Sequence, residues 1–271
     1  MNRLLLSPIA AIATLLAATP VGAQTADQAR LVFSLGIGQT SGGGQLWSVG
    51  RQPFIATLGP GLTQTDTLAV TRSFRRSLDL VLSGTYFPGD HLGFNVEAQL
   101  LGLATEDNCR IASAAGADQT GYLCRSIGRS ERSGSSAALS GGVVYRVASH
   151  QPLHPYVRAN VGLLVTQQSF IKTSGTIPTV DSLPAQATLF EDNNPSSVKP
   201  YLSFGGGVVA VIGKGYQLRF EIRDNWVRVP RVTGTTARQG LRPPTGYTGK
   251  HILTATIGFD VVLERKRGRR Y

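Results

Sequence analysis

The chain has 271 residues, of which 41% are hydrophobic and 16% charged, with 32 glycines, 14 prolines, two cysteines and a formal net charge of +11. The charged fraction lies below the quarter typical of soluble domains, and the apolar fraction is too high for a disordered chain. The one apolar run long enough to suggest a helical span, residues 4–19, is broken by Ser7 and Pro8, which excludes a polytopic helical membrane protein.

Met1-Asn2-Arg3, the apolar stretch after it and Pro20-Val21-Gly22-Ala23 read as an export signal over residues 1–23, with cleavage ahead of Gln24 and one domain over residues 24–271. No cysteine stands near the cleavage point, which argues against a lipid anchor there. From Leu31 onward no helical repeat of useful length is visible, and period-two alternation recurs instead.

In chain order, Leu31, Phe33, Leu35 and Ile37 share the oily face of a first strand. Leu78, Leu80, Leu82 and Tyr86 oppose Ser77, Asp79, Ser83 and Thr85 in a second. After the turn residues Pro88-Gly89-Asp90, Leu92, Phe94, Val96, Ala98 and Leu100 alternate with Gly93, Asn95, Glu97 and Gln99, which predicts a hairpin. Cys109 and Cys124 follow in a polar segment with 14 residues between them. In an oxidising compartment the two read as a disulfide, and the loop it closes is worth roughly 3 kcal/mol.

Ala137, Leu139, Val143, Tyr145 and Val147 then alternate with Ser136, Ser140, Gly142 and Arg146, and Val157 to Val165 with Arg158, Asn160, Gly162 and Thr166. A less regular strand covers residues 202–212. Past Gly213-Lys214-Gly215, Tyr216, Leu218, Phe220 and Ile222 oppose Gln217, Arg219, Glu221 and Arg223. The last strand sets His251, Leu253, Ala255, Ile257, Phe259, Val261 and Leu263 against Thr254, Thr256, Gly258, Asp260 and Glu264, making eight strands.

Three further features bear on which face points inward. The polar faces carry four acids, Asp79, Glu97, Glu221 and Asp260, and four bases, Arg146, Arg158, Arg219 and Arg223, a balance that predicts mutual pairing. Connections alternate long and short along the chain, the pattern of a barrel with turns on one side of a membrane and loops on the other. Tyr86, Tyr145 and Tyr216 lie beside the short turns, while Phe170 and Trp226 lie toward the long loops, as two interface girdles would require.

With these features the chain resembles the small eight-stranded outer-membrane β-barrels that include the OmpA transmembrane domain and OmpX, over about residues 30–265. The segment Pro155-Tyr156-Val157-Arg158-Ala159-Asn160-Val161-Gly162 and its echo Pro200-Tyr201-Leu202-Ser203-Phe204-Gly205-Gly206-Gly207 belong to this likeness. It implies an all-β fold, an antiparallel up-and-down transmembrane barrel, inserted by barrel assembly machinery that reads a closing aromatic residue. Here the alternation ends at Leu263, and Glu264-Arg265-Lys266-Arg267-Gly268-Arg269-Arg270 intervenes before Tyr271.

Residues 46–58 and 65–74 hold enough β-formers for another hairpin, which would give ten strands if it joined the barrel. Arg51, Pro53, Asp66 and Arg72 suit a lipid-facing pair poorly and favour a hairpin within the first long loop. Eight strands enclose a lumen that side chains fill, so a diffusion pore is not expected.

The expected function is therefore a structural or surface-interaction role in the bacterial outer membrane, exerted by a monomer through its long loops, with an extracellular ligand as a partner. No catalytic residue, cofactor or metal site is expected, and export argues against nucleic acid despite the charge. Arg72, Arg75, Arg76, Arg228 and Arg231, with Arg125, Arg129, Arg132, Arg238 and Arg242, fall at the outer rim or loops, where the first five are candidates to bind phosphates of lipopolysaccharide.

Two alternatives stand beside this reading. A lipid-modifying enzyme of the outer-membrane deacylase type would carry a Ser two residues from a His, and none of His91, His150, His154 and His251 has one. A soluble lipocalin-like periplasmic carrier would turn the same oily faces inward.

Overall fold

The computed structural model describes residues 30–41, 44–113, 117–132, 134–149, 151–178, 184–193 and 196–264. The export signal, His150 and the basic run from Arg265 onward lie outside the described residues. In chain order the elements are β1 (Arg30–Thr40), β2 (Gln45–Gly59), β3 (Leu62–Phe74), β4 (Ser77–Phe87), β5 (Leu92–Gly102), β6 (Thr105–Ile111) and α1 (Asp118–Gly128). There follow β7 (Glu131–Arg132), β8 (Ser135–Arg146), β9 (Leu153–Thr166), β10 (Thr173–Pro178), β11 (Pro184–Phe190), β12 (Ser197–Gly213), β13 (Tyr216–Val232) and β14 (Thr245–Glu264).

Each alternating segment becomes a wall strand because period two separates its apolar and polar side chains onto opposite faces. β1, β4, β5, β8, β9, β12, β13 and β14 close into an antiparallel barrel, with β1 pairing β14 from Arg30↔Glu264 to Thr40↔Thr254. At one end the connections are tight. Lys214 and Gly215 alone join β12 to β13, and Gly215 sits at φ +84°, a left-handed conformation that glycine adopts without strain.

The apolar faces point out. Leu35, Leu82, Val96, Leu139, Val161, Phe204, Ile222 and Ile257, one from each wall strand, are 55–65% exposed. The polar faces point in, where Ser34, Ser83, Asn95, Glu97, Asn160, Ser203 and Glu221 are buried. A lipocalin-like carrier needs the reverse arrangement and is ruled out by this one.

The four long connections build a second body on the other end of the barrel. β2 and β3 form a hairpin outside the barrel, in a sheet ordered β2-β3-β6-β7, so the wall has eight strands and the hairpin belongs to the first long loop. β10 pairs β11 in the third loop, and β13 and β14, with 17 and 20 residues, run on past the wall into the fourth. Residues from all four loops share one hydrophobic core with the barrel mouth, including Trp47, Phe54, Leu68, Leu123, Phe170, Phe190, Tyr201 and Val229.

This cap corrects two expectations. Phe170 is not part of an outer aromatic girdle: it is 1% exposed, packs edge-on against Phe74, and its carbonyl accepts from Trp47 Nε1 at 2.8 Å. The polar stretch around the cysteines also holds a helix, α1, whose buried residues Thr120, Leu123, Cys124 and Ile127 follow i, i+3, i+4, i+7. Cys109 on β6 and Cys124 on α1 are joined as a disulfide, pinning this helix to the sheet.

The helix start is capped from another loop. Ala117 offers no side-chain cap, and the Asp66 carboxylate of β3 accepts instead from the Ala117 N–H (2.9 Å), the Thr120 hydroxyl and Gln64 Nε2 (2.8 Å). Burial works against the Asp66 charge, but donors from Thr120, Ala117, Gln64 and Ser113 outweigh it and hold the carboxyl below its ordinary value. The clasp's contribution is complete above the unfolded carboxylate value near pH 4 and fades as pH falls through the lowered folded value. Asp66→Ala should loosen α1 by about 1–3 kcal/mol. Limited proteolysis of the folded chain should then cut within α1 at neutral pH, whereas the parent chain is cut there only well below pH ~4.

Candidate functional site

The lumen is filled in three layers. At the short-turn end Val32, Phe87, Val144 and Val209 make an apolar floor around the ring of Tyr156. At the loop end Leu101, Leu164, Tyr201, Val227 and Ile252 belong to the core of the cap. The change of character is visible within β13, whose buried positions read Gln217, Arg219, Glu221, Arg223 and Asn225 and then Val227 and Val229.

Between these layers lies the charge cluster. Glu97 on β5 accepts from Arg158 Nη1 on β9 (2.5 Å) and from Arg223 on β13, whose Nη2 stands 3.1 Å from Oε2. Glu221 accepts from Arg223 Nε (2.9 Å) and the Tyr156 hydroxyl (2.7 Å), with Arg158 at 3.9 Å and Arg219 at 3.7 Å. Arg219 reaches on to Asp260 at 3.8 Å. Glycine makes room for it: a Cβ on Gly258 would stand 3.1 Å from Arg219 Nη2.

Three acids and three arginines thus form one connected group, and the other two predicted members sit at its ends. Asp79 accepts from Gln99 Nε2 at 2.8 Å, while the Tyr201 hydroxyl lies 2.5 Å from both Gln99 Oε1 and Asn225 Oδ1. Arg146 stacks on the Phe87 ring at 3.5 Å, in the floor layer. Sequence reasoning missed Tyr156, Gln99, Tyr201 and Asn225 as members. Their signal was their parity: Tyr156, Gln99 and Asn225 share an inward face with Arg158, Glu97 and Arg223, and Tyr201 with the polar Ser203.

Of the five rim arginines, Arg72 is not a phosphate contact. It is 0% exposed, donates to both Asp107 oxygens at 2.6 and 2.7 Å, and binds the Lys172 carbonyl and the Thr173 hydroxyl beside the Trp47 ring. It ties the first, second and third loops together. Arg75, Arg76, Arg228 and Arg231 are exposed, as are Arg125, Arg129, Arg238 and Arg242, while Arg132 is half-buried, 3.8 Å from Asp107.

The described histidines have separate surroundings. His91 Nδ1 lies 2.9 Å from the Arg146 carbonyl at a short turn, and His154 is buried beside the Gln151 carbonyl. His251 pairs with Asp224 at 2.8 Å on the outward face of the wall, both side chains open at 70% and 43%.

Two depressions mark the outer surface. An open groove of about 620 Å³ runs between Tyr122, Arg125 and Arg129 of α1 and Ile177, Pro178 and Pro184 of the β10–β11 hairpin. A smaller cleft of about 330 Å³ lies where the start of β12, the end of β13 and the start of β14 meet the third loop.

No family model and no curated protein sequence matches the chain. Among solved structures it is similar to the outer membrane protein OprG from Pseudomonas aeruginosa, at a TM-score of 0.47 and 9% identity, over 88% of this chain and 98% of that one. It is also similar to the outer membrane protein AlkL in lipid bilayers (TM-score 0.42, 14% identity, 93% and 98% covered) and to Neisserial surface protein A (0.38, 10%, 88% and 99%). The closed eight-stranded antiparallel wall is the fold of the small outer-membrane barrels that the sequence resembles.

Glu97→Ala strips two buried guanidiniums of their shared carboxylate and should destabilise the barrel by about 3–5 kcal/mol. The measurement is the temperature at which the folded band converts to the unfolded one on a gel. Replacing Glu97, Glu221, Arg158 and Arg223 together by apolar residues of matched volume removes two acids with two bases, leaves Arg219 beside Asp260, and should restore most of that loss.

Proposed function

We propose that this chain is a bacterial outer-membrane protein that conducts no solutes and acts at the cell surface through its cap. The observation that carries the reading is the apolar belt. A contiguous band of exposed Leu, Val, Ile and Phe on all eight wall strands far exceeds the few hundred Å² of apolar patch a soluble monomer tolerates. From Leu78 to Tyr86 the belt spans nine positions of β4, which matches the ~9–11 residues a tilted strand needs to cross a bilayer.

Tyr86, Tyr145 and Tyr216 at the short-turn edge of the belt, and Trp226 at the other, support the same placement, with the short turns in the periplasm. The filled lumen supports a structural or surface role over transport. On this reading the belt faces lipid and the barrel assembly machinery inserts the chain. The exposed Arg75, Arg76, Arg228 and Arg231 contact phosphates of lipopolysaccharide, and the cap offers an extracellular ligand its contact surface.

Cells expressing the full chain should yield it in the outer-membrane fraction, as a band whose gel mobility shifts only on boiling. A soluble band without that shift overturns the proposal. The purified barrel in a planar bilayer should show no steady conductance, and a stable open level would remove the claim that the lumen is closed.

A further inference from the structure

The smaller cleft concentrates cations in an unusual way. Lys199 Nζ stands 4.4 Å from the centroid of the Tyr247 ring and 3.4 Å from its hydroxyl, and the Arg228 guanidinium stands 5.2 Å from the same ring. Arg242 lies on the cleft wall with the hydroxyls of Ser196, Ser197 and Thr245. Among the described residues, no acid lies within ion-pair distance of these three cations. The one acid of the lining, Asp192, is buried and accepts from Ser169 at 2.6 Å.

The Tyr247 ring attracts the Lys199 and Arg228 cations through its quadrupole, and the repulsion left between them is further relieved by a bound anion. A cleft lined by Lys199, Arg242, Ser196, Ser197 and Thr245, with Arg228 beside its Tyr247 ring, suits an oxyanion with many acceptor oxygens, a phosphate above all. The half-exposed Tyr247 side chain beside them offers apolar surface against which a sugar can rest.

Position narrows the source. Val198, next to Lys199, is 58% exposed and continues the apolar belt directly beneath the cleft. Tyr247 lies four positions past His251 on β14, about 13 Å along the strand beyond the level of Trp226. On the outer-membrane reading above, on which this inference rests, Trp226 marks the interface and the cleft lies just outside it, on the side of the outer-leaflet sugars.

We propose that this cleft binds the phosphorylated sugar headgroup of outer-leaflet lipopolysaccharide, with Lys199, Arg228 and Arg242 holding phosphate and Tyr247 packing against the sugar. All four side chains reach the surface, so their removal leaves no buried group unpaired.

The test compares the full folded chain with a triple variant, Lys199→Gln, Arg228→Gln and Arg242→Gln, and with a charge-matched control, Arg110→Gln, Arg125→Gln and Arg129→Gln, three exposed arginines of the second loop that do not line the cleft. Binding to lipopolysaccharide should fall about tenfold or more in the cleft variant and stay unchanged in the control. Enzymatically dephosphorylated lipopolysaccharide should bind the parent chain as weakly as intact lipopolysaccharide binds the cleft variant. Equal binding by parent and cleft variant overturns the proposal, as does equal loss in the control, which would indicate a diffuse charge effect. Displacement by inorganic phosphate at equal concentration would assign the cleft to soluble phosphate and also overturn it. Fractionation and boiling-dependent mobility of the same proteins are read in parallel, so failure of the outer-membrane placement is distinguishable from failure of the cleft.

Discussion

The structure depends on a charge balance inside a space that admits no slack. Eight strands enclose a lumen that side chains must fill, and here it is filled with ions. Glu97, Glu221 and Asp260 against Arg158, Arg219 and Arg223 leave the middle of the barrel electrically neutral although every member is buried. Ions taken out of water are tolerated only when geometry and additional hydrogen bonds compensate them, and the hydroxyl of Tyr156 and the space at Gly258 serve that end. Because the cluster draws on β5, β9, β13 and β14, it also fixes their relative register. A slip of one residue would turn each charge out through the wall.

The apolar floor and lid follow from that constraint. They keep water from the cluster at both ends, so the attraction between its charges acts in a medium of low polarity. The cap is an extension of the lid: Tyr201, Val227 and Ile252 belong at once to the barrel mouth and to the core that Trp47, Leu123 and Phe190 complete. One continuous packing joins the seal to the outer surface.

The barrel was legible in the sequence because two-residue periodicity, balanced inward charge and alternating connection lengths are all local or countable properties. Glu97, Arg158, Arg219, Glu221 and Arg223 could be assigned to the lumen from parity alone. The cap was not legible in the same way, because parity means something only while a wall separates two media. Beyond Asn225 the inward positions turn apolar, and a residue such as Arg72 or Phe170 is placed by contacts with segments 100 or more residues away. Arg72 carried no sign that Asp107 would meet it in a buried bidentate pair, so its charge suggested an exposed rim. The helix α1 did leave a trace, in the spacing of Thr120, Leu123, Cys124 and Ile127, but three of its eleven residues are glycine or threonine and the surrounding polarity masked it.

The seam between β1 and β14 joins the first and last strands of the wall, with Arg30 opposite Glu264. Until the final strand arrives, the sheet has two open edges. Closure therefore cannot proceed while the chain is being made. Until then the wall is an unfinished sheet, and Arg219 meets Asp260 only when β14 is in place. The bridge between Cys109 and Cys124 escapes that schedule, since both ends lie in one loop, and it can be in place before any wall exists.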